Sequence, residues 1–389
     1  MSIFDEVHDR LNTRSMKWDM RHLVFESEDV LPMWVADMDF KAPKEVNEAL
    51  IKRAEHGIYG YTAVDNEVKD SIVNWVKTRH NWGINREWLS FSKGVVTTLH
   101  MAIRAFTEVN DKVLIQTPVY TPFYKVIEAH DRKIVKNPLF KEDNYYKIDF
   151  KDFEEKLKSG VKAFILCSPH NPVGRVWKKE ELEEMARLCL KHDVVILSDE
   201  IHADLVFNGE KHIPIASLSD EIAANTITCM APSKTFNLAG LEASYAITTD
   251  KEKREKLIDE FNKQGHGNGL NTMANTALEA AYKYGAPWLN ELNSVLEGHK
   301  NYVTEQLENR TDLKVTRSEG TYLLWIDCSA LNLNAEELKQ FMIHQAKVGL
   351  NTGIDYGEEA AQFMRMNIAC PRATIEEGVN RIIEAVNNR

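Results

Sequence analysis

The sequence predicts an α/β protein, with a mostly parallel central sheet in a large domain and a smaller α+β domain. Three observations carry this. Apolar runs recur at 112–116, 162–167, 194–198 and 226–230 with helix-period segments between several of them, the pattern of a parallel sheet covered on both faces. After residue 286 the order changes to a long helix, then strand, helix, strand and helix. At 389 residues the chain is also too long for one small core. The expected large domain is 47–285, and the expected small domain is 1–46 with 286–389.

In chain order, residues 5–11 read as a short helix. The apolar stretch 31–40 reads as a strand ending in a carboxylate-rich turn. Residues 42–51, with Pro43 near the start and apolar residues at helical spacing, read as a helix. Gly57-Ile-Tyr-Gly-Tyr-Thr62 is a loop carrying two tyrosines. Val68, Ile72, Val73 and Val76 mark the next helix, to His80. Helical patterns at 95–106, 123–130 and 180–191 then alternate with the strands, to which 133–135 and 243–248 are added. Helices are expected over 251–264, 271–284 and 288–309, the last carrying the chain into the small domain. There, strands at 321–327 and 363–369 flank a helix over 335–347, whose Glu-rich first turn suits its dipole. Thr374 starts the last helix, with Glu377 completing a capping box.

Charge and composition exclude several classes. The net charge of −11 is unsuited to a nucleic-acid or anionic-membrane surface. No apolar run approaches the ~20 residues that span a bilayer. The N-terminus lacks the basic-then-apolar pattern of a secretion signal. The five cysteines are isolated, without a CxxC pair or a metal-like cluster, so reduced thiols in a cytoplasm are expected.

Chemistry-bearing residues gather just past the strand ends, where open α/β sheets bind ligands. Lys234 lies in Ala231-Pro-Ser-Lys-Thr-Phe-Asn-Leu-Ala-Gly240, directly after the strand at 226–230. Taken alone it is an exposed loop lysine; inside a core its charge has to be used or lost. Gly94-Val-Val-Thr-Thr98 opens a helix with free N–H groups, an anion site in form and also a common helix start. Tyr120, after Thr117-Pro118, offers a face for stacking or is an ordinary half-buried tyrosine. Asn171, in Cys167-Ser-Pro-His-Asn-Pro-Val-Gly174, presents two donors and an acceptor or simply makes a turn. Asp199 ends a buried strand and needs a cationic partner there, unless it caps the next turn. His202 stands within reach of the same ligand or is structural. Arg365, amid apolar strand residues, suits a bidentate carboxylate clamp or faces solvent. Arg372, beside Pro371, reads as structural.

One cofactor uses the whole set. Pyridoxal phosphate needs a Schiff-base lysine, a carboxylate on its pyridinium nitrogen, a phosphate cradle, a stacking aromatic and a polar contact to its ring oxygen. Lys234, Asp199, residues 94–97, Tyr120 and Asn171 supply one each.

Together with that loop, Pro32-Met-Trp-Val-Ala-Asp-Met-Asp-Phe40, Tyr59-Gly-Tyr61, Ser168-Pro-His-Asn-Pro-Val-Gly-Arg-Val-Trp177 and Ser198-Asp-Glu-Ile-His-Ala-Asp204 resemble the fold-type I pyridoxal-phosphate enzymes of the aspartate aminotransferase superfamily. Within it they resemble the MalY/PatB group of cystathionine β-lyases and C–S lyases, over essentially the whole length. The resemblance implies that Lys234 forms the Schiff base, Asp199 pairs with the pyridinium, and Asn171 and His202 reach the ring O3′. It implies that Tyr120 stacks on the ring and that the backbone of Val95 and Val96, beside Gly94, holds the phosphate. Tyr61 would reach the phosphate in the neighbouring subunit of an obligate homodimer. Arg365, with the backbone near Val35 and Ala36, would hold the substrate α-carboxylate. One departure stands out. Typical aminotransferases carry a phosphate-gripping arginine eight residues after the lysine, and here that residue is Glu242. Ala231 replaces a phosphate-binding serine found in many relatives, leaving Ser233 as the nearby hydroxyl. Loss of the arginine fits the C–S lyases better than general transaminases.

The implied reaction is α,β-elimination from L-cystathionine or a related S-substituted cysteine, giving thiol, pyruvate and ammonia. Lys234 would be the base at Cα and the nearest acid for the leaving sulfur, with Tyr61 and Tyr120 as the other candidates. An aminotransferase sharing the first steps is the alternative. A regulatory binding protein with a vestigial site is a further one, against which the intact residue set argues.

Overall fold

The structure is a computed structural model and describes residues 2–389 apart from 208 and 266. Seven strands form one sheet in the order Leu89–Ser92, Ser244–Ile247, Thr226–Met230, Val195–Asp199, Val161–Cys167, Lys112–Thr117, Lys133–Pro138. Ser244–Ile247 runs antiparallel to both its neighbours, and the other pairings are parallel. The apolar runs become central strands because both faces are covered, and residues alternate between those faces. Val113, Ile115, Ile165 and Leu197 pack under the helices Val95–Phe106, Pro122–Glu128 and Lys251–Lys263. Leu114, Phe164, Leu166 and Ile196 pack under Phe150–Lys158 and Lys179–Lys191. Each such side chain contributes roughly 1.5–3 kcal/mol on burial.

A second sheet of four antiparallel strands is built from Lys314–Val315, Leu323–Asp327, Phe363–Asn367 and Asn351–Thr352. The helix Ala286–Arg310 precedes it in the chain. Leu31 and Pro32 pair in parallel with Val348 and Gly349, which brings the N-terminal segment beside the last part of the chain. Among the described residues no helix is long and apolar enough to cross a membrane.

Four expectations are corrected. Residues 5–11 are not helical; Phe4 packs against Phe40 and Trp288, and Arg10 is drawn into ion pairs with Asp37 and Asp39. The strand expected over 31–40 shrinks to Leu31–Pro32, because the carbonyls from Trp34 to Met38 are taken by side chains rather than by a neighbouring strand. The helix from residue 335 stops at His344 and gives way to the paired residues Val348–Gly349. The last helix spans Arg372–Asn387 with Pro371 at its cap, so Thr374 lies inside its first turn and forms no capping box. Several elements escaped the sequence reading, among them the short helices Met16–Asp19 and Arg21–Phe25 and the strands Lys314–Val315 and Asn351–Thr352. Phe150–Lys158 is a helix capped by Asp149. Phe140–Glu142 and Tyr145–Lys147 form a hairpin whose turn residues, Asp143 and Asn144, have φ of 49° and 60°, the conformation of a primed turn.

Candidate active site

The strands whose carboxyl ends lie on one side of the large sheet deliver their following residues to a single cavity of about 190 Å³. Past Leu89–Ser92, the helix Val95–Phe106 starts at Gly94 with no side-chain cap. Its first turn therefore keeps N–H groups available for an anion, and Gly94, Val95, Val96 and Thr97 line the cavity. Ser233 lines it too, as does Glu242, so no arginine stands at that position.

Past Lys112–Thr117, Tyr120 is held by its own N–H, which donates to the Asn171 carbonyl at 3.1 Å. Burial, helped by the Asp199 charge, pushes its phenol up to about 12, so it stays a hydrogen-bond donor at neutral pH. Past Val161–Cys167, the Asn171 side chain accepts from Arg365 Nη1 at 3.3 Å. Arg365 also donates to the Trp34 carbonyl at 2.8 Å and to Asn351 Oδ1 at 2.7 Å. It is 4% exposed, with Nε unpartnered among the described residues, so it points inward and not to solvent. Arg372 lies outside the site; it pairs with Glu376 and stacks over Tyr302.

Asp199 and His202 come from the end of Val195–Asp199 and the turn after it. Burial raises the Asp199 carboxyl to about 7, against the Ile201 N–H at 3.1 Å and the Lys234 charge, which work to lower it. Burial pushes His202 down to about 3. Its Nδ1 is buried without a partner among the described residues, and its ring packs edge-on to Tyr322. Lys234 sits in the short helix Pro232–Thr235 after Thr226–Met230. Its Nζ donates to the Ala36 carbonyl at 2.6 Å. Burial, and then the Arg365 charge, push its amine down to about 8.

The segment around Ala36 explains why residues 33–40, buried at both ends and half-buried from Trp34 to Asp37, are not a strand. The Trp34 carbonyl accepts from Arg365. The Val35 and Asp37 carbonyls both accept from Asn367 Nδ2. That of Ala36 accepts from Lys234 and Tyr322, and that of Met38 from Asn237 and Arg10. Each carbonyl from Trp34 to Met38 thus has a side-chain donor. The sequence reading placed Val35 and Ala36 here, but missed Asn237, Tyr322 and Asn367. Asn367 lies two residues after Arg365, on the same face of one strand, and that spacing was the available signal. Of the residues expected at the site, Tyr61 alone stands apart: its side chain is fully exposed at the surface.

The family model for aminotransferase class I and II matches residues 28–382. The chain belongs to this family. It is 48% identical to cystathionine β-lyase PatB of Bacillus subtilis, over 99% of this chain and 100% of that one. It is 34% identical to protein MalY of Escherichia coli, over 98% of each. Among solved structures it is similar to cystalysin from Treponema denticola, which contains a pyridoxal 5′-phosphate cofactor, with a TM-score of 0.96 at 37% identity over 99% of this chain and 98% of that one. The fold is that of the fold-type I pyridoxal-phosphate enzymes, and pyridoxal 5′-phosphate is the cofactor. The residues present fit it. Burial leaves Asp199 short of a cationic partner, which a protonated ring nitrogen provides. An uncapped helix start suits the phosphate, and the lowered amine of Lys234 suits a bond to the aldehyde.

Proposed function

We propose that this chain is a pyridoxal-phosphate-dependent C–S β-lyase, releasing thiol, pyruvate and ammonia from L-cystathionine or related S-substituted cysteines. The observation that carries this is the full-length identity of 48% to a cystathionine β-lyase, and Glu242 in place of the aminotransferase arginine points the same way. Bound cofactor supplies an electron sink for the pair left at Cα, and the remaining work falls to the chain's own groups. Lys234, with its amine pushed down to about 8, is neutral often enough near pH 7 to take the Cα proton. The ammonium so formed is the nearest acid for the departing sulfur, with Tyr120 and a partner's Tyr61-type phenol as the other donors. Asp199 keeps the ring nitrogen protonated. Arg365, already aimed by Trp34 and Asn351, would take the substrate α-carboxylate, and Asn171 and His202 would hold the cofactor ring.

The reading extends to a homodimer with shared sites. Ile51, Ile58, Tyr59 and Tyr61 expose large apolar side chains along one stretch, a pattern of interaction surfaces, and Tyr61 would then reach the phosphate of the neighbouring site. We keep 47–285 as the cofactor-holding domain and 1–46 with 286–389 as the smaller one. The five free, buried cysteines suit a reducing cytoplasm.

The substrate class is tested by thiol release from a panel of thioether amino acids, with aspartate as a control for transamination. Thiol should appear from cystathionine and S-alkylcysteines. Failure to release thiol from every thioether, with turnover of aspartate instead, would end the lyase reading.

A further inference from the structure

We propose that Tyr322 is a positioning residue for Lys234: its hydroxyl fixes the Ala36 carbonyl as the acceptor on which the free amine rests. The proposal rests on the reading of Lys234 as the cofactor-binding amine and deepens it. Three distant parts of the chain meet at one oxygen. Ala36 comes from the N-terminal segment, Lys234 from the turn after Thr226–Met230, and Tyr322 from the residue before the strand Leu323–Asp327. The Tyr322 hydroxyl donates to the Ala36 oxygen at 2.9 Å and Lys234 Nζ at 2.6 Å. A carbonyl has two lone pairs, so these two donors fill it.

The oxygen is also held from both sides. The carbonyls of Val35 and Asp37 are pinned by Asn367 at 2.6 Å each, which keeps the Ala36 peptide from turning away. Tyr322 itself is 1% exposed, and burial pushes its phenol well up, so it remains a donor throughout the working range. Lys234 must leave this oxygen to act and come back to it afterwards, whereas the Tyr322 bond can persist through both. The charged groups acting on the amine are Arg365, which disfavours its ammonium, and Asp37 and Asp199, which favour it; His202 and Tyr120 line the same cavity. The phenol hydrogen draws on the same lone-pair density that would stabilise the ammonium. Removing the hydroxyl frees that density and favours the charged form.

The full chain, stripped of cofactor and titrated with pyridoxal phosphate, reports the amine directly through the rate of visible-absorbance growth against pH. In Tyr322→Phe the midpoint should move up by about half to one pH unit, the size of one neutral hydrogen bond. The acid limb of kcat, which reports the substrate complex in which the Lys234 amine is free, should move with it, and the melting temperature should stay near that of the unaltered protein. Site-specific 3-fluorotyrosine at 322 keeps the ring and strengthens the donor, and should move the midpoint down. Superimposed midpoints for all three proteins would overturn the proposal, as would a lowered melting temperature with an unshifted midpoint. A Lys234→Ala chain that captures cofactor with the unaltered rate and pH dependence would instead overturn the reading of Lys234 itself.

Discussion

Lys234 is the residue we propose to carry the chemistry, because its surroundings change what a lysine is. Burial and Arg365 hold its amine at about 8 rather than near 10.5, and the neutral form is the one that attacks an aldehyde or takes a proton. Cofactor capture should therefore rise with pH through about 8 and level off above it; stopped-flow absorbance checks this. A capture rate still climbing steeply beyond pH 10 would mean an unperturbed lysine. Lys234→Ala should still bind cofactor and lose turnover by at least ~10²–10⁴-fold, the usual worth of a general base. At this scale the sequence was informative where a costly residue type stood at a strand end. Lys234, Asp199 and Asn171 were readable on those terms, and Arg365 as a charge set amid apolar strand residues. Tyr322 and Asn367 were not, since they act on backbone carbonyls whose position is set only once distant segments have packed.

The segment Trp34–Met38 is the element that links the site to the N-terminal residues. Its far side is anchored by a buried ion cluster in which Lys17, 1% exposed, meets Asp39 at 2.6 Å. Arg10 and the Trp18 indole complete the carboxylate's bonds. Breaking a buried pair leaves a charge uncompensated at about 3–5 kcal/mol. Lys17→Met should fall at the low end, ~3 kcal/mol, because Arg10 and Trp18 remain; the urea midpoint measures it. Burial works to raise the Asp39 carboxyl, but Lys17, Trp18 and Arg10 prevail and hold it below its ordinary value. Its stabilising contribution is therefore present above the unfolded pKa of about 3.9 and lost as pH falls from there through the folded value. With Lys17 gone the folded value rises, so acid unfolding should begin at higher pH. The sequence misread this region as a helix and a strand. Periodicity reports burial, and here burial comes with backbone groups satisfied by side chains, a pairing that no local pattern announces. The helices and strands of the large sheet, by contrast, were legible because their apolar spacing and their hydrogen bonding agree.

At the scale of the molecule, the parallel order of the sheet gathers the site and leaves Tyr61 outside it, on an exposed apolar stretch. If sites are shared between two copies, Tyr61→Ala and Lys234→Ala chains should each be inactive as homodimers. Mixed and allowed to exchange, they should recover activity, because one site of every mixed dimer takes its lysine from one chain and its tyrosine from the other. A mixture as inactive as its parts would mean that both residues are needed from the same chain and that the sites are not shared. The α/β class and the two central strands of the second sheet, Leu323–Asp327 and Phe363–Asn367, followed from the order of apolar runs. The hairpin at Phe140–Glu142 and Tyr145–Lys147 did not, because one strand is exposed throughout and the other buries only Tyr146, too little for an apolar pattern. The central claim is that this site breaks a C–S bond and finishes the reaction by itself. The direct measurement is pyruvate formed per L-cystathionine consumed by the holoenzyme with no keto acid added. The account predicts one pyruvate for each cystathionine; no pyruvate, with turnover appearing only once a keto acid is supplied, would contradict it.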